Sequence, residues 1–346
     1  MRVRKSRSIL AVVGTVIAVA VAEFCVRAVL HAAGWRELFV PDPVLGWRGK
    51  AGFSGEVRRN GAPKPWKLVI NRSGWPGPDV PVTRGRGKER TLILSDSFGF
   101  GGGVDYDRSF VGRLGSLWSD RDILNFSMDA YGTDQEFLVL GREAPKWDWD
   151  EVVVLIYEND FDDVLYEKAW HRHKPRFVLR GGKPFLLPFA VPLMDRAMGW
   201  SALLRLGVMT VAPTHGARFG DSAAGIELVA ALLEEIKNTA GRKGRRAHFF
   251  FHSQLEEAER RPDEADSRWM EFRRAAQTRG LLVDRLDRAI LAKASPRRAA
   301  SLLGFDRIHW NEEGCRLAAE CLTEAMHRRR ATADHEYPAP APPKRY

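Results

Sequence analysis

A serine, an asparagine and an Asp-x-x-His, each beside a short apolar run or before a helix, are the residues of this chain whose types suit acyl chemistry. Ser97 follows the apolar run 91–94 within RTLILSDSFGFGGG (90–103), and Asn159 follows the run 152–156. Asp306 and His309 precede a helical pattern opened by Asn311, and a further turn, NFSMDAYG (125–132), follows the run at 123–126. Acyl transfer needs a hydroxyl to attack, an imidazole to take its proton, a carboxylate to hold the imidazole's tautomer, and donors for the oxyanion. Each piece alone also has a plain structural use. Asp-Ser and Asn-Asp after a strand are common turn residues, and a histidine before a helix is commonly a satisfied structural group. Order and placement together single them out.

The elements that must position them follow from periodicity. Short apolar runs at 91–94, 123–126, 152–156, 247–251 and 281–283 are separated by stretches long enough for helices. That pattern predicts an α/β fold with a five-stranded parallel sheet and helices on both faces. In such sheets the loops at the carboxyl ends of the strands line the ligand crevice, which is where Ser97 would stand. Thr133 to Glu136 has capping-box spacing for a helix ending before Pro145. Ser222 can cap a helix with the stripe Ile226, Val229, Ala230, Leu233 and Ile236, and Asn311 can cap one that turns Cys315, Ala318, Leu322 and Ala325 inward. The long insertion 161–221 carries a hairpin pattern at 176–187 and an apolar segment at 200–209. Following directly on a candidate site loop, it is expected to form a lid or a substrate-selecting wall.

Arg2, Arg4, Lys5 and Arg7 precede the uncharged run 9–22, and apolar character resumes after Glu23 as far as Leu30. As a helix, 9–30 would be about 33 Å long, enough to span a bilayer. The expected arrangement is a single-pass anchor (1–35) with a cytoplasmic basic tip, Glu23 and Arg27 paired on one face, and the rest outside the cytoplasm. The alternative is a secreted protein, cleaved after Ala22 at an A-x-A pattern. A lead-in (36–89) rich in Gly, Pro and Trp should pack on the main domain (90–328), and the tail 329–346 should be disordered. Its tryptophans suit core plugs more commonly than sugar stacking.

The net charge of +10 over 346 residues permits a polyanionic partner, but no nucleic-acid motif accompanies the basic clusters, so none is expected. Three cysteines make no disulfide framework; Cys315 and Cys321 read as small core residues. His171-Arg172-His173 reads as a solvated loop, and neither a metal nor a cofactor is expected.

With these residues in place, the stretch 90–328 resembles the SGNH, or GDSL-type, hydrolase superfamily. The Ser-Phe-Gly-Phe-Gly run, the Tyr-Gly-Thr-Asp-Gln run, 309–314 and the lead-in run 71–77 are similar to a membrane-anchored bacterial subgroup. The resemblance implies a flavodoxin-like three-layer fold, with Ser97 as nucleophile, His309 as general base and Asp306 as its orienting carboxylate. It also implies an oxyanion hole made of the Ser97 and Ala130 backbone N–H groups and the Asn159 side chain. Where the family commonly has glycine, this chain has Ser95, Ala130 and Tyr157, which leaves open an altered specificity or a degraded site. No G-x-S-x-G elbow is present. The activity implied is that of an extracytoplasmic serine esterase or deacylase acting on an ester or acylated glycan. The alternatives are O-acyl transfer to a cell-envelope or exported polysaccharide, and a non-catalytic glycan-binding or assembly protein on the same fold.

Overall fold

A computed structural model describes residues 2–59, 61–261, 266–296 and 298–336, with side chains described from Ser8 to Ala331. Five parallel strands form the central sheet: β1 (Glu89–Leu94), β2 (Arg121–Asn125), β3 (Glu151–Tyr157), β4 (Arg246–His252) and β5 (Val283–Arg285). Their spatial order is β5-β4-β3-β1-β2. Read from the other edge this is 2-1-3-4-5, the flavodoxin-like doubly wound order, whose switch point lies between β1 and β3.

The two faces follow from strand alternation. Leu92, Leu94, Val152, Val154, Ile156, Phe249 and Phe251 face one core; Ile93, Val153, Leu155 and Phe250 face the other. The helices are α1 (Arg2–Ala32), α2 (Phe110–Leu117), α3 (Thr133–Arg142), α4 (Leu193–Trp200), α5 (Ala202–Val211), α6 (Ser222–Gly241), α7 (Ser267–Thr278), α8 (Leu286–Ala294) and α9 (Glu312–Glu336). The first core packs on α3, α6 and α7, and the second on α2, α8 and α9. The stripe Ile226, Val229, Ala230, Leu233 and Ile236 is fully buried, as its spacing predicts. Asn311 caps α9 by accepting from the Glu313 and Gly314 N–H groups, each at 3.0 Å.

Several local expectations differ. The last strand runs two residues later than 281–283, because Leu281 is drawn into the first core while Leu282 stays exposed. The Thr133 to Glu136 capping box does not form. Gly132 occupies the cap, the Thr133 N–H donates to Asp160 Oδ1 at 3.0 Å, and Glu136 is buried with neither carboxylate oxygen partnered. Asp221, one residue before Ser222, caps α6 by accepting from the Ala224 N–H. Helix α9 continues through Glu336, past the expected start of a disordered tail at 329, because Arg329 pairs with Asp284 at 2.9 Å and Arg330 with buried Glu151. The rest of that tail, 337–346, lies outside the described residues. His171, Arg172 and His173 are half-buried rather than solvated: Arg172 lies on the Phe39 ring and His173 is held by Asp195.

The lead-in packs where its tryptophans dictate. Trp47 Nε1 donates to the Asp129 carbonyl at 3.2 Å, Tyr131 Oη donates to the Trp47 carbonyl, and Trp75 meets Phe126 at 5.2 Å. These rings are core plugs, all buried. The basic residues beneath the sheet are also accounted for by ion pairs. Arg84 pairs with Asp148 and Asp150, while Arg121, Arg246 and Arg330 converge on Glu151. This network closes the amino end of the sheet and leaves the carboxyl end for chemistry.

Helix α1 is apolar over the 25 residues Ser8–Ala32, and its most apolar 18-residue window has a mean hydropathy of 2.5 with none of it buried. Length and composition suffice to cross a membrane. A signal sequence has the same character.

Candidate active site

Ser97 leaves β1 at the switch point and is the only residue of 90–100 that is not buried. The backbone turns sharply there: Asp96 caps the single helical turn Ser97–Phe100 by accepting from the Phe98 N–H at 3.0 Å, and Gly101 ends it in the left-handed region at φ 86°. Only one turn forms, so the serine gains oriented N–H groups rather than a full helix dipole. Gly99 is required here, since a Cβ would stand 2.1 Å from Ser127 Oγ and 2.9 Å from Ser95 Cβ. Ser95 is therefore a packing residue, fully buried, with its hydroxyl turned to Asp96.

Asp306 and His309 arrive from the opposite side on the loop before α9. Asp306 Oδ1 accepts from the Ile308 and His309 N–H groups at 3.0 Å each, which fixes the loop around the carboxylate. Its other oxygen accepts from His309 Nδ1 at 2.6 Å, and His309 Nε2 lies 2.7 Å from Ser97 Oγ. A carboxylate can only accept, so the imidazole proton sits on Nδ1 and Nε2 is free to accept from the serine hydroxyl. Burial works to raise the Asp306 carboxyl, but the hydrogen bond and charge of His309 and the two backbone donors outweigh it and hold the group well below the usual carboxylate range. The Phe98 ring, 5.0 Å from the His309 ring, backs the imidazole.

The expected oxyanion donors lie on the loops after β1, β2 and β3. Neither the Ser97 nor the Ala130 N–H donates a hydrogen bond among the described residues. Ala130 has φ 64°, the left-handed conformation that favours glycine. Asn159 lies two residues beyond β3 and donates from Nδ2 to Asp163 Oδ2 at 2.7 Å, while its Oδ1 is buried without a partner. One amide hydrogen is thus held by Asp163 and the second remains available. Tyr157 stacks on His252 at 4.7 Å and contributes its ring to the wall behind Phe98.

Sequence reasoning missed the carboxylates beneath these donors. Asp160 accepts from the Thr133 N–H at 3.0 Å and the Tyr157 N–H at 3.1 Å, tying the Ala130 loop to the Asn159 loop. Burial and the charges of Asp96 and Asp163 raise its pKa well above the ordinary value. Burial likewise pushes Asp163 up to about 7 against the pull of Lys174, and Asp96 up to about 6. Lys174, fully buried, reaches from the insertion to Asp134 and to the Asp163 carbonyl. The visible signal was the acidic run Asp160-Phe161-Asp162-Asp163 directly after Asn159.

The insertion is closed at its base by the Tyr166–Arg218 bridge and packs against the lead-in and α1. Among the described residues it makes no hydrogen bond, ion pair or ring contact with Ser97, Asp306 or His309. No group of three potential metal ligands occurs among the described residues.

No family model matches the sequence, and no curated protein matches it. Solved structures similar to it include a psychrotrophic esterase, EstA, from Pseudoalteromonas sp., at 11% identity and TM-score 0.42, covering 70% of this chain and 100% of that one. A member of the lipolytic protein G-D-S-L family from Veillonella parvula matches at 13% identity and TM-score 0.40, covering 69% and 99%. A lipase/acylhydrolase from Enterococcus faecalis matches at 15% identity and TM-score 0.39, covering 70% and 96%. At these values the likeness concerns the fold alone, and the chemistry must be argued from the site itself.

Proposed function

We propose that the chain is a membrane-anchored serine esterase or deacylase whose acyl-enzyme forms on Ser97, with the α/β domain outside the cytoplasm. The observation that carries the reading is the continuous relay from Asp306 through His309 to Ser97, at 2.6 and 2.7 Å, ending on the half-buried serine at the sheet's switch point. In the forward step Ser97 Oγ attacks the ester carbonyl carbon and passes its proton to His309 Nε2. The carbonyl oxygen takes up the negative charge among the Ser97 N–H, the Ala130 N–H and the Asn159 amide. Collapse breaks the ester C–O bond, and the alcohol leaves with the proton from Nε2. Water then attacks the acyl carbon and gives a proton to His309 Nε2; collapse breaks the bond to Ser97 Oγ, which takes that proton back as the acid leaves.

An intact relay favours catalysis over a purely binding role on this fold. The same acyl-enzyme also serves transfer to a sugar hydroxyl, so the test must separate the two acceptors. Full-length protein turning over an aryl acetate, with and without a panel of envelope glycans, should release free acetate at an unchanged rate if water is the acceptor. Faster turnover together with acetylated glycan would replace the esterase reading with acyl transfer. No turnover in any arm would sink both.

A further inference from the structure

Glu23 and Arg27 of α1 are not merely a helix-surface pair. Glu23 accepts from the Ser201 hydroxyl at 2.9 Å and from the Ala202 and Leu203 N–H groups at 2.8 and 3.0 Å, so it caps α5 of the insertion. Arg27 bonds Glu23 at 2.6 Å and donates to the Trp200 carbonyl at the end of α4. Glu23 and Arg27, the acidic and basic side chains of the apolar stretch Ser8–Ala32, thus fix the α4–α5 hairpin alongside it. The hairpin then extends the apolar surface of α1 sideways: Leu193 is 78% exposed, Trp200 83% and Val211 85%. Apolar side chains placed level with a bilayer-length helix are at home in lipid and poorly placed in water.

Between the end of α1, α5 and the lead-in lies a cavity of about 560 Å³ that includes Leu30, Trp35, Leu206 and Met209. It shares Trp35, Arg58, Arg59 and Met209 with a second lobe of about 220 Å³, whose inner wall includes Phe100 and Asp129. Phe100 closes the turn that carries Ser97, and Asp129 precedes Ala130. The outer end is apolar, while across both lobes Arg36, Arg58, Arg59, Arg172 and Arg205 outnumber Glu37 and Asp129. Arg59 pairs with Asp129, and Arg172 and Arg205 with Glu37. Arg58 has no ion pair among the described residues. An apolar mouth beside the apolar helix and an arginine-rich lining, in which Arg58 is exposed and without an ion pair among the described residues, together describe a site for an amphiphile with an anionic head.

We infer that this two-lobed cavity takes a phosphate-bearing lipid from the leaflet adjoining the end of α1, with Arg58 on the headgroup. The inference does not depend on the acyl-enzyme reading. The test uses the full-length protein, delipidated in detergent and exposed to equimolar phosphatidylglycerol and phosphatidylcholine, with retained lipid read by native mass spectrometry. Phosphatidylglycerol should be retained about tenfold over phosphatidylcholine, a difference of about 1.4 kcal/mol. Arg58→Glu should reduce that preference below about threefold, and Met209→Trp, which narrows the junction of the lobes, should lower retention of both lipids. Both variants should keep the parent rate of fluorophosphonate labelling, which reports an intact fold and Ser97. Equal retention of the two lipids, or a preference untouched by Arg58→Glu, overturns the site. Displacement of the bound lipid by millimolar soluble glycerol phosphate overturns the leaflet as its source. Selective retention that depends on Arg58, in a protein that never labels, upholds the site and removes the catalytic reading instead.

Discussion

Removing the Asp163 carboxylate should slow acylation, and should do so through Asn159 alone. Asn159 donates one amide hydrogen to Asp163 at 2.7 Å, and its Oδ1 is buried without a partner, so Asp163 is the only group that fixes the amide's rotation among the described residues. Asn159→Ala removes a donor to the oxyanion and should cost about 10²- to 10³-fold in kcat, or roughly 2.7–4 kcal/mol. Asp163→Ala keeps the donor but frees it to turn; since a misplacement of about 1 Å can cost up to about 10²-fold, a loss of about 10- to 30-fold is expected. That corresponds to about 1.4–2 kcal/mol in the barrier, with KM within about twofold of the parent. If Asp163 acts only through Asn159, the double variant should be no slower than Asn159→Ala, and the coupling energy equals the whole of the Asp163 effect. Burst-phase acylation by p-nitrophenyl acetate measures the step directly, and thermal unfolding of each variant checks the fold. Asp163→Asn, which retains an acceptor, should recover most of the rate. Additive losses in the double variant, or a normal burst in Asp163→Ala, would show that the contact with Asn159 does nothing for the reaction.

Ala130→Gly relieves the left-handed backbone at φ 64°. Set against glycine's greater freedom in the unfolded chain, it should stabilise by about 0.5–1 kcal/mol, read as a rise in Tm of about 1–3 °C; an unchanged or lower Tm would mean the strain is not there. Glu151 is depressed to about 2 despite burial, which alone would raise it, because His248, Arg330 and Thr91 favour its charged form. A depressed carboxylate contributes stability above its unfolded pKa near 4.5 and loses it as pH falls toward 2, roughly 3 kcal/mol over that window. Glu151→Gln should therefore flatten denaturant stability between those pH values and lower it at pH 7 by about 3–5 kcal/mol, because Arg121 and Arg330 lose their partner; an unaltered slope would assign acid lability elsewhere. The membrane-fraction protein should retain Met1 to Ala22, and Edman sequencing that begins at Glu23 would replace the anchor with a cleaved signal.

The sheet was legible because its strands carry apolar side chains on both faces, as Val152 to Ile156 and Phe249 to Phe251 do, and such runs declare themselves without knowledge of their partners. The triad residues were legible because each stands where a strand stops or a helix starts. Caps that borrow partners from distant chain were not: Thr133 looks like an N-cap until Asp160, 27 residues away, is seen to take its N–H. The same holds for the ends of the chain. Arg329 and Arg330 fall in the tail expected to be disordered, yet their pairs with Asp284 and Glu151 extend the last helix through them. The joint between α1 and the insertion was half visible, since Glu23 and Arg27 stand four apart, but nothing local says that Ser201, 178 residues on, is the third member. Spacing reveals what the chain does within a few residues; which buried charges meet across the fold depends on packing.

The proposal that Ser97 is the nucleophile is tested most directly by peptide mapping of the full-length protein after exposure to a fluorophosphonate. The relay at 2.6 and 2.7 Å requires one adduct, on the peptide containing Ser97. It should be absent from Ser97→Ala and nearly absent from His309→Ala, while Ser95→Gly, which alters only a buried packing residue, should label at least as fast as the parent. An adduct on any other serine, or labelling that survives in Ser97→Ala, would contradict the mechanism and leave the triad a structural arrangement.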